Sequence, residues 1–155
     1  MAFRLVTNSG NVVDPAVINM YASGVVKNGQ AVDFLRTGGA GVAPTVSTST
    51  TTAVFGVALD YAQGASDVQV RVLPFSNDQL WEVDCANAAS TAQIGLRHAL
   101  SASDRAVIHN TATDVTATGI FLAVAMTGLT TGSGKLIGRV ISNMSPQTQN
   151  STTFI

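Results

Sequence analysis

Short segments of alternating apolar and polar residues, separated by glycine-rich turns, recur along the chain. Residues 53–73 contain an apolar run, a Gly-Ala-Ser-Asp turn and a segment in which valines alternate with polar residues, as in a half-buried antiparallel hairpin. Residues 120–141 repeat this plan around a Gly-Ser-Gly turn, with Arg139 in the position that Arg71 has in the first copy. The repeated pattern predicts two related strand pairs that close one barrel or sandwich.

Weaker signals place further elements. Asn28-Gly29 lies between apolar residues and predicts a tight hairpin, because both residue types accept positive φ. Residues 79–84 and 104–109 have the pattern of short strands, and residues 90–99 fit either one helical turn or an extended crossing. These signals favour strands over helices.

The chain divides by composition. Asp14-Pro15 offers an N-cap followed by proline at the first helical position, and Phe154-Ile155 ends an otherwise polar, uncharged stretch. The predicted parts are an N-terminal arm with a short helical turn (1–24), one β-barrel domain (25–141) with a Gly/Ser/Thr loop at 37–52, and a C-terminal tail (142–155).

The residue balance supports a mostly β fold. Val, Ile and Thr total 44 residues, whereas Leu, Met, Glu and Lys total 17. Branched side chains are restricted in helices but fit a pleated surface. We therefore expect a single-domain small β-barrel or β-tulip-like fold of antiparallel hairpins, with at most one or two short helices.

Charge is scarce and balanced. Charged residues make up 11% of the chain, against about 25% in typical soluble domains, and the formal net charge is -1. Such a chain has no field that attracts phosphates, so we expect neither nucleic acid nor membrane as a partner. No apolar stretch approaches the length of a spanning helix, and residues 1–10 lack the apolar core of a signal peptide, which predicts a protein made and kept in a cytoplasm.

Residues that could carry chemistry are few and scattered. The single cysteine, Cys85, excludes an intrachain disulfide, and neither His98 nor His109 shares a local catalytic signature with it. A metal site from the two histidines and Asp104 is conceivable but has no supporting motif. The glycine-rich turns lack the full spacing of a phosphate-binding loop. We predict no catalytic residue, no cofactor and no metal, and hence no enzyme.

Apolar residues at the ends of the chain suggest assembly. Arms that cannot bury their apolar tips alone bury them on a partner, although ordinary terminal strands on their own domain explain the same residues equally well. Trp81 is the type of residue that anchors interfaces, but a core position with a tethered N–H is the favoured alternative. The residues predicted to contact a partner or another copy of the chain are Phe3, Leu5, Val6, Trp81, Phe154 and Ile155.

Residues 53–141 are similar to a known family. The segments GVAL, VRV, LWEV, STAQIG and GRVI follow one another in this range. In this order they resemble the small head decoration, or cement, proteins of tailed bacteriophages. The resemblance implies a homotrimer on the outer surface of the virion head that binds the major capsid protein and stabilises contacts between capsid subunits. It implies no individual contact residue.

Two alternatives stay open. The many Ser, Thr, Asn and Gln side chains could serve a carbohydrate-binding or adhesin module of a phage tail or fibre, although such sites commonly expose several aromatic residues. A tail-tube or head-completion protein would fit the same virion setting. The number of exposed aromatic residues would distinguish a carbohydrate-binding module from a decoration protein. Ring symmetry instead of trimer symmetry would distinguish a tail-tube or head-completion protein.

Overall fold

The computed structural model is almost entirely β, as predicted. It describes residues 3–8, 17–22, 25–34, 45–47, 54–62, 68–76, 79–101, 107–116, 119–127 and 134–141. Within this part of the chain, the one helical element is a 3₁₀ turn at Thr91–Gln93, and no helix is long and apolar enough to cross a membrane. The strands are β1 (Phe3–Asn8), β2 (Ile18–Ala22), β3 (Ala31–Phe34), β4 (Thr45–Ser47), β5 (Gly56–Ala58), β6 (Gln69–Pro74), β7 (Gln79–Cys85), β8 (Arg97–Leu100), β9 (Val107–His109), β10 (Phe121–Thr127) and β11 (Lys135–Val140).

Ten of these strands form two closed rings. The first ring has the order β2-β4-β3-β5-β6, and β6 pairs again with β2. The second ring has the order β7-β9-β8-β10-β11, and β11 pairs again with β7. Strand β1 pairs with β7 from outside the second ring. The two hairpins predicted from alternation are present as β5–β6 and β10–β11, and each belongs to its own ring.

The two rings repeat one topology. Each contains one parallel pair, β2–β4 or β7–β9, and four antiparallel pairs in the same order along the chain. The registers also coincide. The pair of Ile18 and Val72 in the first ring occupies the same position as the pair of Trp81 and Gly138 in the second ring. Each strand of the first ring therefore has an equivalent five strands later.

A glycine turn is repeated at the same place. Gly29 has a φ of 79° and donates its N–H to the Ala58 carbonyl at 2.7 Å, while Gly95 has a φ of 85° and donates to Ala123 at 2.8 Å. Side chains strongly disfavour this backbone region, and glycine does not. The repeat thus includes turn geometry as well as strand order.

The predicted hairpin at Asn28-Gly29 is wrong, although the turn exists. A two-residue type I′ hairpin needs positive φ at both central residues, and here only Gly29 has it. The segments on either side consequently pair elsewhere. Val26 forms a bridge with Ala62, and β3 pairs with β4 and β5.

Two boundary predictions are also corrected. The described end of the expected helical turn, residues 18–22, is strand β2, because its backbone pairs with β6 and β4. The expected loop at 37–52 contains β4, whose Thr-Val-Ser sequence tolerates the extended conformation and is paired on both sides. The rest of both segments lies outside the described residues.

An aromatic cluster packs where the rings meet. The Phe3 ring of β1 makes edge contacts with Phe75, which follows β6, at a centroid distance of 5.4 Å, and with Trp81 and Phe121 of the second ring at 6.3 Å. Phe75 and Trp81 lie 5.0 Å apart. Each such pair contributes about 0.5–1.5 kcal/mol beyond area burial. The core formed by these residues is shared by both rings and β1.

A second core fills the first ring with smaller side chains. Apart from one methionine, its buried members are alanines and valines. They are Met20, Ala22, Val26, Val32, Ala58, Ala62, Val70 and Val72.

Candidate functional site

The predicted interface residues divide between core and surface. Phe3 and Trp81 are 3% and 1% exposed, so in this structure they are core residues and not surface anchors. Strand β1 causes this, because it lays Phe3 and the half-buried Leu5 over β7. Val6 on the opposite face is 45% exposed and stays a predicted contact. Phe154 and Ile155, which complete the prediction, lie outside the described residues.

The expected tether of the Trp81 N–H is missing. Its Nε1 is buried without a hydrogen-bond partner in the described part of the chain. A buried unpaired donor costs about 1–3 kcal/mol. The aromatic contacts of the ring offset this cost.

A charge network crosses the outer face of three strands. Arg4 of β1 donates to Glu82 of β7 at 3.0 Å, and Lys135 of β11 lies 2.9 Å from Asp84 and 3.6 Å from Glu82. The hydrogen bond to Asp84 is the main reason why the pKa of Lys135 is raised, so the ammonium is retained at neutral pH. Both cations are neutralised within the chain, which leaves this face with little net field.

Two Arg–Asp clasps hold loops against the rings; we use this term for the pairs Arg71–Asp60 and Arg97–Asp114. In the first pair, the Asp60 carboxylate accepts the Arg71 backbone N–H at 3.0 Å and a guanidinium N–H at 2.7 Å. In the second pair, the Asp114 carboxylate accepts the Arg97 backbone N–H at 2.7 Å and a guanidinium N–H at 2.6 Å. These bonds lower the pKa of Asp60, and they lower that of Asp114 to about 2. Arg71 and Arg97 are thus each paired with a carboxylate of the same chain.

A buried amide network closes one end of the second ring. Asn110, 1% exposed, donates to the Gln93 side chain and the Asn87 carbonyl at 3.0 Å and accepts the Asn87 N–H at 2.8 Å. Gln93 also accepts the Ser90 N–H at 2.9 Å. Sequence reasoning missed this network, although Ser90-x-x-Gln93 is the spacing of a capping box and could have revealed it.

The residues considered for catalysis have structural surroundings. The His98 ring is fully buried, and its Nε2 lies 3.0 Å from the Gln93 carbonyl, whereas His109 is exposed. Burial raises the pKa of the Cys85 thiol, which therefore stays protonated at neutral pH. Among the described residues no cluster of three potential ligands could hold a metal ion, and Asp104 lies outside them.

An open cleft of about 370 Å³ lies between the end of β7 and the start of β11, and Asn87 of the buried amide network belongs to its lining. Asp84, Cys85, Asn87 and Lys135 line part of it. Its two charged groups pair with each other at 2.9 Å, and its thiol is not activated. The cleft is thus a polar surface depression whose charges already have partners.

Exposed aliphatic residues are distributed over both rings. Tyr61 is the one aromatic side chain among the large hydrophobic residues that are exposed in the described ranges. The others are Val6, Val17, Ile18, Val25, Ile94, Val124 and Ile141. Surface aliphatic residues of this kind suit contacts with another protein better than stacking against sugars.

The fold is similar to that of a phage head fibre base. The chain matches a crystal structure of the head fibre gp8.5 N base of bacteriophage phi29 with a TM-score of 0.52. The match covers 84% of this chain and 98% of that chain at 17% identity, so it establishes a common fold over most of both. No family model and no curated protein matches the sequence.

Proposed function

We propose that the protein is a structural component of the outer surface of a bacteriophage head. The observation that carries this proposal is the fold shared with almost the whole of a head fibre base. The decoration-protein resemblance of residues 53–141 supports the same location independently, because it rests on the order of sequence motifs. The proposed partner is the major capsid protein, as the decoration-protein resemblance implies.

The surface chemistry suits this role. Arg4, Arg71, Arg97 and Lys135 each have a carboxylate partner within the chain, and exposed valine and isoleucine side chains are available for contact. Apolar contacts of this kind depend little on ionic strength. A homotrimer would strengthen weak individual contacts, because the second and third sites bind at high effective concentration.

Two finer roles are compatible with attachment to the head. A cement protein would clamp adjacent capsid subunits, as the sequence resemblance implies, whereas a fibre base would carry an outward projection, as the structural match suggests. Heads that lack a cement protein should release DNA at lower temperature than complete heads. Heads that lack only a fibre base should show the same release temperature as complete heads.

Binding to purified heads tests the proposal. The chain is mixed with heads from a phage that lacks its gene and is sedimented with them in low and molar salt. We expect saturable binding in both conditions, since few ion pairs are available to screen. Complete heads, whose sites are filled, are the control and should bind little. Failure to bind empty-site heads would overturn the proposal.

The adhesin alternative has a separate outcome. A tail or fibre adhesin would sediment with host cell envelopes and not with heads. Tyr61→Ala checks this alternative, because Tyr61 is 59% exposed and is the available stacking group in the described ranges. We expect no effect of this substitution on head binding.

A further inference from the structure

A histidine lies inside the second ring at a position where the first ring has a valine. His98 of β8 pairs with Phe121 of β10, and Val32 of β3 pairs with Gly56 of β5 at the equivalent place of the first ring. Each is the third residue after the positive-φ glycine of its ring, and each is 0% exposed. An apolar side chain therefore fills this position in the first ring, whereas the second ring has an imidazole, the side chain that ordinarily titrates near neutral pH.

The hydrogen bonds of the imidazole define its neutral form. Nε2 of His98 lies 3.0 Å from the Gln93 carbonyl oxygen, which can only accept, so Nε2 carries the ring proton. Nδ1 is buried and has no hydrogen-bond partner in the described structure. A second proton would have to be placed on Nδ1, where it would create a buried cation whose N–H has no acceptor. Burial of such a group is costly, and the cost is avoided when the imidazole moves out to water.

The surroundings of the imidazole offer little charge to compensate a cation. Of the elements that pack against β8, strand β10 and the 3₁₀ turn contain no ionisable residue, and β9 contributes His109, which is exposed. The described segment 110–116 contributes Asp114, which interacts electrostatically with a charge on His98. The Asp114 carboxylate is already hydrogen-bonded to the Arg97 guanidinium at 2.6 Å, so a cation neutralises it.

The same imidazole is connected to the end of the ring that the amide network closes. Gln93, whose carbonyl accepts from His98, is also bonded through its side chain to Asn110 at 3.0 Å. The neighbouring residue of β8, Arg97, accepts the Val115 N–H at its backbone carbonyl at 2.9 Å. We call residues 91–100 and 107–116 together the His98 corner. Displacement of the imidazole removes a contact that joins β8 to the 3₁₀ turn within this corner.

We propose that His98 makes this corner acid-sensitive: uptake of a second proton by the imidazole opens the His98 corner, while the first ring stays closed. The first ring has Val32 at the equivalent position and contains no histidine. An imidazole in contact with water titrates at about pH 6.5, so below that pH the opened corner binds one proton more than the closed corner. The stability of the corner is therefore complete above this pH and is lost progressively as the pH falls below it.

Other ionisable groups near the corner are separated from His98 by their titration ranges. Asp114 stays ionised in mild acid, because its pKa is about 2. Burial raises the pKa of the Cys85 thiol, which stays protonated over the same range. The two histidines, His98 and His109, are the side chains that ordinarily titrate here. A response in mild acid is thus distinct from the loss of the Arg–Asp clasps, which requires a lower pH.

Hydrogen exchange of the full-length chain, measured by mass spectrometry and corrected for the intrinsic pH dependence of exchange, tests the proposal. Peptides from the His98 corner should exchange faster at about pH 5 than at about pH 7, by up to about tenfold for each pH unit below the imidazole range, because opening binds one proton. Peptides from β2, β3, β5 and β6 should keep their protection. His98→Val, which copies the first ring, should remove this pH dependence. His109→Gln is the matched control and should retain it.

Nuclear magnetic resonance of the wild type labelled at its histidine nitrogens gives a second measurement that needs no substitution of His98. The signals that persist in His109→Gln identify His98. At neutral pH they should show a proton on Nε2 and none on Nδ1. In mild acid the closed form should keep this pattern, and the doubly protonated imidazole should appear only together with the opened corner.

Four results would overturn the inference. They are equal protection of the His98 corner at both pH values, the same loss of protection in His98→Val as in the wild type, a proton on Nδ1 at neutral pH, and a doubly protonated His98 in a corner that stays closed. These measurements use the free chain, so their outcome is independent of whether the protein binds heads.

Discussion

The two rings share a hydrogen-bonded frame but differ in how that frame is filled. In the second ring, Phe121 of β10 packs against Gly138 of the neighbouring strand β11. The equivalent pair in the first ring is Gly56 of β5 and Val72 of β6. The bulky and the small residue have changed places. The comparison teaches that register defines each ring, while the side chains need only fill the enclosed volume together.

The difference in filling extends to the edges. The second ring contains the large residues Trp81 and Phe121, and β1 covers its edge with Phe3. The first ring contains mostly alanine and valine and leaves Ile18 partly exposed. The second ring should therefore be more sensitive to substitution than the first at equivalent positions.

The largest expected contrast is between Trp81→Ala and Ile18→Ala. Removing the buried tryptophan leaves a cavity and should lower the free energy of unfolding by about 4 kcal/mol. The equivalent isoleucine is 36% exposed, and its truncation should cost about 1 kcal/mol. Urea denaturation measures both values. Equal losses in the free energy of unfolding would show that packing of β1 against the second ring does not make it more sensitive to substitution than the first.

Gly138→Ala tests the exchanged pair. A Cβ there would lie 2.1 Å from the Leu122 carbonyl oxygen and 2.7 Å from the Phe121 ring, so the ladder must shift, at a cost of about 3 kcal/mol. Gly95→Ala is the control, because a Cβ there meets open space and only the positive φ opposes it, at about 1 kcal/mol. A smaller loss for Gly138 than for Gly95 would contradict the packing.

Asn110→Ala tests the network that closes the second ring. The substitution leaves the Gln93 side-chain oxygen and the Asn87 N–H short of a partner and should cost about 2 kcal/mol. Thr116→Ala, at an exposed position, should change stability by less than about 0.5 kcal/mol. Chemical denaturation compares the two variants. Indistinguishable midpoints would mean that the network contributes nothing.

The smallest expected effects concern the contribution of the Arg–Asp clasps to stability at low pH. The pKa of Asp114 falls from 3.8 to about 2 on folding, mainly through its hydrogen bonds with Arg97. A lowered folded-state pKa means that the stabilisation is complete above the unfolded value and is lost as the pH falls through this interval, with uptake of up to about one proton on unfolding.

Asp114→Asn should therefore melt below the wild type at neutral pH, and the difference should shrink towards pH 2. Asp60→Asn in the first ring should show the same sign, because the pKa of Asp60 is also lowered by its arginine. Thermal melts across this pH range measure both variants. A difference that is constant with pH would contradict the titration.

Local patterns predicted much of this fold, and long-range pairing explains what they missed. Alternating valines were sufficient for β6, and the apolar runs on either side of glycine turns for the β5–β6 and β10–β11 hairpins. Strand β4 lies in a Gly/Ser/Thr tract and is extended because β2 and β3 pair with it. No local signal indicates that β2 pairs with β4 or that β7 pairs with β9, because each parallel pair joins segments that are distant in sequence.

Sequence was less informative about the surface. The apolar residues of the arm were identified, but alternation alone did not tell which of them face inward, and β1 buries Phe3 while exposing Val6. Trp81 was recognised as a core candidate, but its unpaired N–H was not foreseen.

Cryo-electron microscopy of the virion that carries this gene tests the central claim most directly. The account predicts density on the outer surface of the head into which two five-stranded rings per copy can be fitted, in contact with the major capsid protein. Density for the protein confined to the tail or to the interior of the head, or complete absence from the particle, would contradict it.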